Sequence, residues 1–182
     1  MFIETLTLKN FRQFRGKHAL RFSQGRKNVT VVFGENGRGK TGIFRALVFC
    51  LFGDRQLSQD GTEIDEREVH LVNTGAVQES RKSGKPVEGG VELVFTHADH
   101  RYTLKRFLQS AVQQDGERLE EQTELLLTIE KPDGNCQVLH DPEDIRDRIR
   151  GVIDYRVREY FLFDGEKIEN LTRASQQGAR TN

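Results

Sequence analysis

Residues 31–42 read VVFGENGRGKTG, and the run just ahead of them is NVTVVF (28–33). Three glycines stand between a β-branched run and KTGIFRALVFCLFG (40–53), which opens on a lysine and a threonine and in which Ile43, Leu47 and Leu51 recur every four residues. Such a sequence reads as a strand, a flexible loop and a helix with a broad apolar side, ended by Gly53. The order poses a chemical question, because glycine is the most flexible residue and loses the most conformational freedom on folding. Gly34, Gly37 and Gly39 leave several backbone N–H groups open to one anion, and the helix that follows aims its unpaired N–H groups and partial positive end at the same place. Lys40 adds a full charge for the β- and γ-phosphates of a nucleotide, and the Thr41 hydroxyl is suited to Mg²⁺. Residues 34–41 fill the pattern G-x-x-x-x-G-K-[ST] at every position. The expected ligands are ATP and Mg²⁺, with Gly34, Asn36, Gly37, Arg38, Gly39, Lys40, Thr41 and Gly42 around the phosphates. Arg38 is open to two readings: a further cation near the phosphates, or a side chain pointing to solvent.

Outward from the loop, residues 2–9 (FIETLTLK) alternate apolar and polar with one slip, which predicts a strand. HALRF (18–22) predicts a second, with a turn at Gly16. The unbroken run 28–33 predicts a strand buried on both faces, as in a parallel sheet. Residues 54–89 are rich in charge, serine and glycine and predict a partly mobile insertion holding a helical turn or two near REVHLVNTGAVQ. VELVFTH and RYTLKRFL around ADH predict a β-hairpin, 109–122 a polar loop, and TELLLTIEK a strand closed by the turn PDGN. In HDPEDIRDRIRGVI, Asp141 fits an N-cap, Pro142 the first helical position, and Glu143 and Asp144 the positive helix end. YFLF (160–163) is a further apolar run, followed by Asp164 and Glu166.

Composition bounds the rest. The 182 residues carry 28 Lys+Arg against 28 Asp+Glu, so the whole chain is not an electrostatic trap for nucleic acid, and any DNA contact is local. No apolar run approaches about 20 residues, and the first ten residues lack a signal layout, so a cytoplasmic, non-membrane protein is expected. Cys50 and Cys136 lie far apart and are read as reduced thiols. The five histidines show no metal-ligand spacing.

Three islands in this order, LKNFRQF (8–14), the 31–53 stretch and EYFLFDGEKIENL within 158–171, carry a family resemblance. The chain resembles the N-terminal lobe of the SMC/SbcC/RecF-type, ABC-like ATPases, and within them it is similar to the DndD branch of DNA phosphorothioation. The resemblance implies an α/β P-loop lobe over 1–173, with a buried mixed or parallel sheet, the loop's helix and an antiparallel β annex, then a tail or coiled-coil start at 174–182. It implies that Arg12 reaches the nucleotide and that Asn36 sets the loop geometry. It also implies that Asp164 stands beside Mg²⁺, where relatives often carry a glutamine. Read from the residues alone, Asp164 is equally a strand-end metal ligand with Glu166 orienting water, as in a self-contained small P-loop NTPase or kinase. A lobe that keeps the fold without using nucleotide is a third alternative.

An LSGG loop, a second apolar run ending in Asp-Glu and a switch histidine are not found in the sequence. The chain is therefore expected to be one lobe of a larger ATPase, binding nucleotide more readily than it hydrolyses it. The partners implied are a C-terminal lobe, a second head joined through ATP, DNA held by its backbone, and nuclease or modification-system proteins.

Overall fold

The computed structural model describes residues 1–26, 28–35, 37–55, 69–81, 84–113, 116–154 and 156. In chain order these form β1 (Phe2–Phe11), β2 (Phe14–Arg21), α1 (Lys40–Phe52), α2 (Thr74–Ser80), β3 (Val87–His97), β4 (His100–Val112), β5 (Arg118–Glu130), β6 (Cys136–Leu139) and α3 (Pro142–Val152). The strands make one six-stranded sheet in the order β2-β1-β3-β4-β5-β6, with every neighbouring pair antiparallel.

The register explains the core. Leu20, Leu6, Leu93, Leu104, Leu127 and Leu139 face one another across all six strands. Side chains in register share a face of the sheet, so this is one row of leucine, and its four central members are fully buried. Ala46, Phe49 and Cys50 of α1 belong to the same buried cluster, as do Ile145 and Ile149 of α3. The Phe11 and Phe49 rings lie 5.7 Å apart, and the Phe95 and Tyr102 rings stack at 4.8 Å. The slip in the alternation of 2–9 is a shift in the β1–β3 register between Ile3 and Thr5, which resets the faces by one residue.

Most element starts and stops follow local chemistry. Asp141 accepts from the N–H groups of Glu143 and Asp144 and caps α3, with Pro142 in the first turn. Gly53 ends α1 in the left-handed region, its N–H donating to Phe49 O. Ala98 and Asp99 both have positive φ in the β3–β4 turn, the geometry of a two-residue hairpin.

Three expectations need correction. Residues 28–33 form no strand: Val29 is 74% and Phe33 91% exposed, and Val31 and Val32 are exposed as well. β-branched residues fit a pleated, half-buried surface, but a strand is a pairing. The sheet's described edges, β2 and β6, do not take this run, so the parallel component expected around it is not found among the described residues. The α/β class itself stands. Second, most of the loop expected at 109–122 is strand, because β4 and β5 run on as paired arms through Val112↔Arg118. Third, the β1–β2 turn lies at Arg12–Gln13, and Gly16 sits inside β2 at φ 79°.

The two cysteines differ sharply. Cys50 is fully buried, and burial pushes its thiol up to about 12, while Cys136 is exposed. Since the thiolate is the reactive form, a native-state thiol titration with an aromatic disulfide reagent is expected to modify Cys136 alone. Cys50 is expected to react only after denaturant is added. Two equal, fast thiols in the native chain would contradict the packing of α1 on the sheet.

Among the described residues no helix is long and apolar enough to cross a membrane.

Candidate nucleotide-binding site

The loop has the backbone its glycines permit. Gly37 has φ 79° and Gly39 φ 104°, a region that a side chain rarely enters. Gly39 is the N-cap of α1, and no side chain caps it. Nor does an acidic residue stand in the first turn, so the leading N–H groups of Lys40, Thr41 and Gly42 carry the helix's positive end with no carboxylate from that turn against it. Ile43 N–H is the first to close the helical ladder, donating to Gly39 O at 3.1 Å. Lys40 folds over the loop, its Nζ donating to Gly34 O at 2.6 Å and Glu35 O at 3.0 Å. These carbonyls hold the ammonium group above the loop at the helix start. A polyanion fits this donor set: glycine backbone, helix N-terminus and one lysine. Thr41, half-buried in the first turn, is the hydroxyl that would face Mg²⁺ there, and Mg²⁺ prefers oxygen ligands and keeps several waters. The Arg38 Nε meets Glu35 Oε2 at 3.3 Å with both side chains largely exposed.

The β1–β2 turn leans on this loop. Gln13 Nε2 donates to Gly39 O at 3.4 Å. A Cβ on Gly42 would come 2.0 Å from Gln13 Nε2, and one on Gly39 would come 3.0 Å from Phe14 Cζ. Gly39 and Gly42 are therefore glycine for a second reason, the seat they leave for Gln13 and Phe14. The structure thus brings together the 34–42 loop and the turn that carries Arg12, itself in the left-handed region at φ 49°. Asn36, Asp164 and Glu166 lie outside the described residues. Among the described residues no group of three or more His, Cys, Asp or Glu side chains could hold a metal.

Four residues that sequence reasoning did not single out shape the site. Gln13 and Phe14 were visible inside NFRQF, though nothing in the motif says what they touch. Asn73 is a helix N-cap, accepting from Ala76 N at 2.9 Å, and its Nδ2 donates to Arg12 O at 2.5 Å. Its position before TGAVQES is the signal that could have found it. Glu120, one acid among several in RLEEQ, has no such signal.

Comparison with known proteins finds one family and several relatives. The model of the family described as "AAA domain" matches residues 5–179. Among curated relatives, the DNA replication and repair protein RecF of Acetivibrio thermocellus is 34% identical over 75 residues, 41% of this chain and 18% of its own. The DNA double-strand break repair Rad50 ATPase of Methanococcus maripaludis is 33% identical over 106 residues, 58% of this chain and 9% of its own. The chain thus spans less than a fifth of these relatives. A solved structure described under "Structural biochemistry of ATP-driven dimerization and DNA stimulated activation of SMC ATPases" aligns over 95% of this chain and 98% of its own at 19% identity, with a TM-score of 0.41. A glycine-built loop at an uncapped helix start, inside a family match that runs almost end to end, leads to one statement: the chain belongs to the AAA domain family.

Proposed function

We propose that this chain is the ATP-binding half-site of an SMC/RecF/Rad50-like ATPase that acts on DNA, of the DndD type. The observation that carries the reading is the uncapped start of α1 behind left-handed Gly39, with the Lys40 ammonium held over the loop. Backbone N–H groups from Gly34 to Gly42, with Asn36 shaping the loop, would cradle the phosphates. Lys40 would neutralise the β- and γ-oxygens, Thr41 and Asp164 would stand at Mg²⁺, and Arg12 would approach from the β1–β2 turn. Glu166 is the candidate for orienting the attacking water. Bound Mg²⁺ would supply charge neutralisation across the phosphates; the chain's own groups supply placement.

The exposed run 28–33 supports the half-site reading over a self-contained NTPase. The exposed side chains of Val29, Val31, Val32 and Phe33 mark a surface made to be covered, and a C-terminal lobe bringing strands of its own would cover it. In the full assembly, ATP would join two heads, and head closure would control engagement of the DNA backbone, a salt-sensitive contact. A nuclease or modification-system protein is the further partner class that this role implies.

Calorimetry with Mg-ATP and a steady-state phosphate-release assay test the reading together. Binding without appreciable turnover by the chain alone is expected. Turnover at an ordinary enzymatic rate, roughly 1 s⁻¹ or above, would refute the half-site and favour the self-contained NTPase. No binding at all would favour the nucleotide-independent lobe.

A further inference from the structure

We propose that Asn73, locked to β5 through Glu120, is the positioning residue of the Arg12 turn and so part of the nucleotide-binding machinery, although it lies in no phosphate-binding motif. The proposal rests on the reading above, in which Arg12 touches the nucleotide.

The turn needs an external brace. Asn10 and Arg12 both adopt positive φ, 43° and 49°, a region costly for residues other than glycine. Strain of this kind persists only where the surroundings over-determine it. Here the surroundings are the segment 71–73. Arg12 N–H donates to Leu71 O at 2.6 Å, and Asn73 N–H donates to Asn10 O at 2.7 Å. Asn73 Nδ2 takes the Arg12 carbonyl, while its Oδ1 caps α2. One side chain therefore joins the start of a helix to the backbone of the candidate ligand residue. Asn10 completes the brace from its own side, with Nδ2 donating to Glu88 O at 3.0 Å and Oδ1 accepting from Gly16 N at 2.8 Å. Gly89 permits the close approach, since a Cβ there would stand 2.7 Å from Asn10 O and 3.1 Å from Val72 Cγ1.

Segment 71–73 is in turn fixed from behind. Glu120 Oε1 accepts from Leu71 N at 2.9 Å and Arg55 Nη1 at 3.0 Å. Its Oε2 accepts from Val72 N at 3.0 Å and Arg118 Nη2 at 3.2 Å. The carboxylate is 1% exposed and serves four donors, an arrangement that rigidifies when fully satisfied. Placement thus passes from β5 through 71–73 to the Arg12 turn, whose next residue, Gln13, meets the phosphate loop at Gly39.

Asn73→Ser separates positioning from folding. A serine at an N-cap still accepts from the helix N–H groups, but it is too short to donate to the Arg12 carbonyl. Hydrogen exchange of the Arg12 amide should speed up about tenfold in this variant, while amides of β4 and β5 keep their protection. An unchanged Arg12 amide would overturn the proposal, with or without nucleotide. Calorimetry with Mg-ATPγS then forms a double-mutant cycle. Arg12→Ala and Asn73→Ser should each weaken binding about tenfold, and the double variant by about the same tenfold, because both act through one group. Effects that multiply to about a hundredfold, or full affinity in Asn73→Ser, would overturn it. Full affinity in Arg12→Ala, with Lys40→Ala still defective, would remove Arg12 from the site and the proposal with it, leaving the phosphate loop standing. Wild-type binding that is indifferent to Lys40→Ala would instead defeat the nucleotide reading, and the exchange measurement would still decide whether Asn73 holds the turn.

Discussion

Lys40→Ala is expected to weaken Mg-ATP binding by at least a hundredfold while leaving the melting temperature nearly unchanged. Hydrogen bonds to a charged group are worth about 1.5–3 kcal/mol each, and an ammonium that spans two phosphates makes at least two. A loss of about 3–4 kcal/mol corresponds to a factor of roughly 10²–10³ in affinity. The folded chain asks little of the same side chain. It is exposed, and its Nζ meets the carbonyls of Gly34 and Glu35, groups that water can satisfy in its absence. Surface changes of this sort usually stay within about 0.5 kcal/mol. Lys40→Arg is not expected to rescue binding, because a planar guanidinium is not a compact point charge and does not fit the same seat. Calorimetry alongside thermal denaturation checks both halves. Affinity retained within threefold would show that the loop is a turn with an incidental lysine.

The second large effect is on stability. Glu120→Ala is expected to cost about 3–5 kcal/mol, the range seen when one partner of a buried ion pair is removed. The deletion takes the acceptor from two backbone amides, Leu71 N and Val72 N, and the counter-charge from two guanidinium groups, leaving Arg55 with Val69 O and Arg118 with Ser110 Oγ, Thr74 Oγ1 and Val72 O. Arg118 is already held below its ordinary range, chiefly by burial and against the attraction of Glu120. Stripping away the carboxylate removes that attraction and leaves the burial. For a domain of this size the change amounts to a drop of roughly 10 °C in melting temperature. Glu120→Gln should fall between, since an amide oxygen still accepts from one side but brings its own N–H groups against donors. Urea denaturation measures the difference. A midpoint for Glu120→Ala equal to wild type would mean that the four bonds do not hold segment 71–73.

These predictions fall on residues of unequal visibility. The left-handed glycine loop and the helix behind it could be read from residue order, because each position there answers a local demand: open backbone, then an apolar face every fourth residue. The caps at Asp141 and Gly53 were legible for the same reason. Residues 28–33 were misread because strand propensity says nothing about which strand arrives beside it. The ends of β4 and β5 were misread as part of a loop at 109–122 because they carry polar side chains on arms that only their mutual pairing makes regular. Asn73 was legible only as a helix cap, and neither its hold on Arg12 nor the role of Glu120 could be assigned from sequence. Their partners lie 61 and up to 65 positions away, Arg12 and Arg55, and no short pattern encodes a contact of that span.

The bare run at 28–33 has a further consequence for handling the protein. NVTVVF has no charge, no proline, no glycine and strong β propensity, the makeup of a segment that stacks with copies of itself in cross-β fibrils. Kept in water at high concentration, the isolated chain carries a ready seed for self-assembly. A lobe that covered the run would also shield it from such stacking.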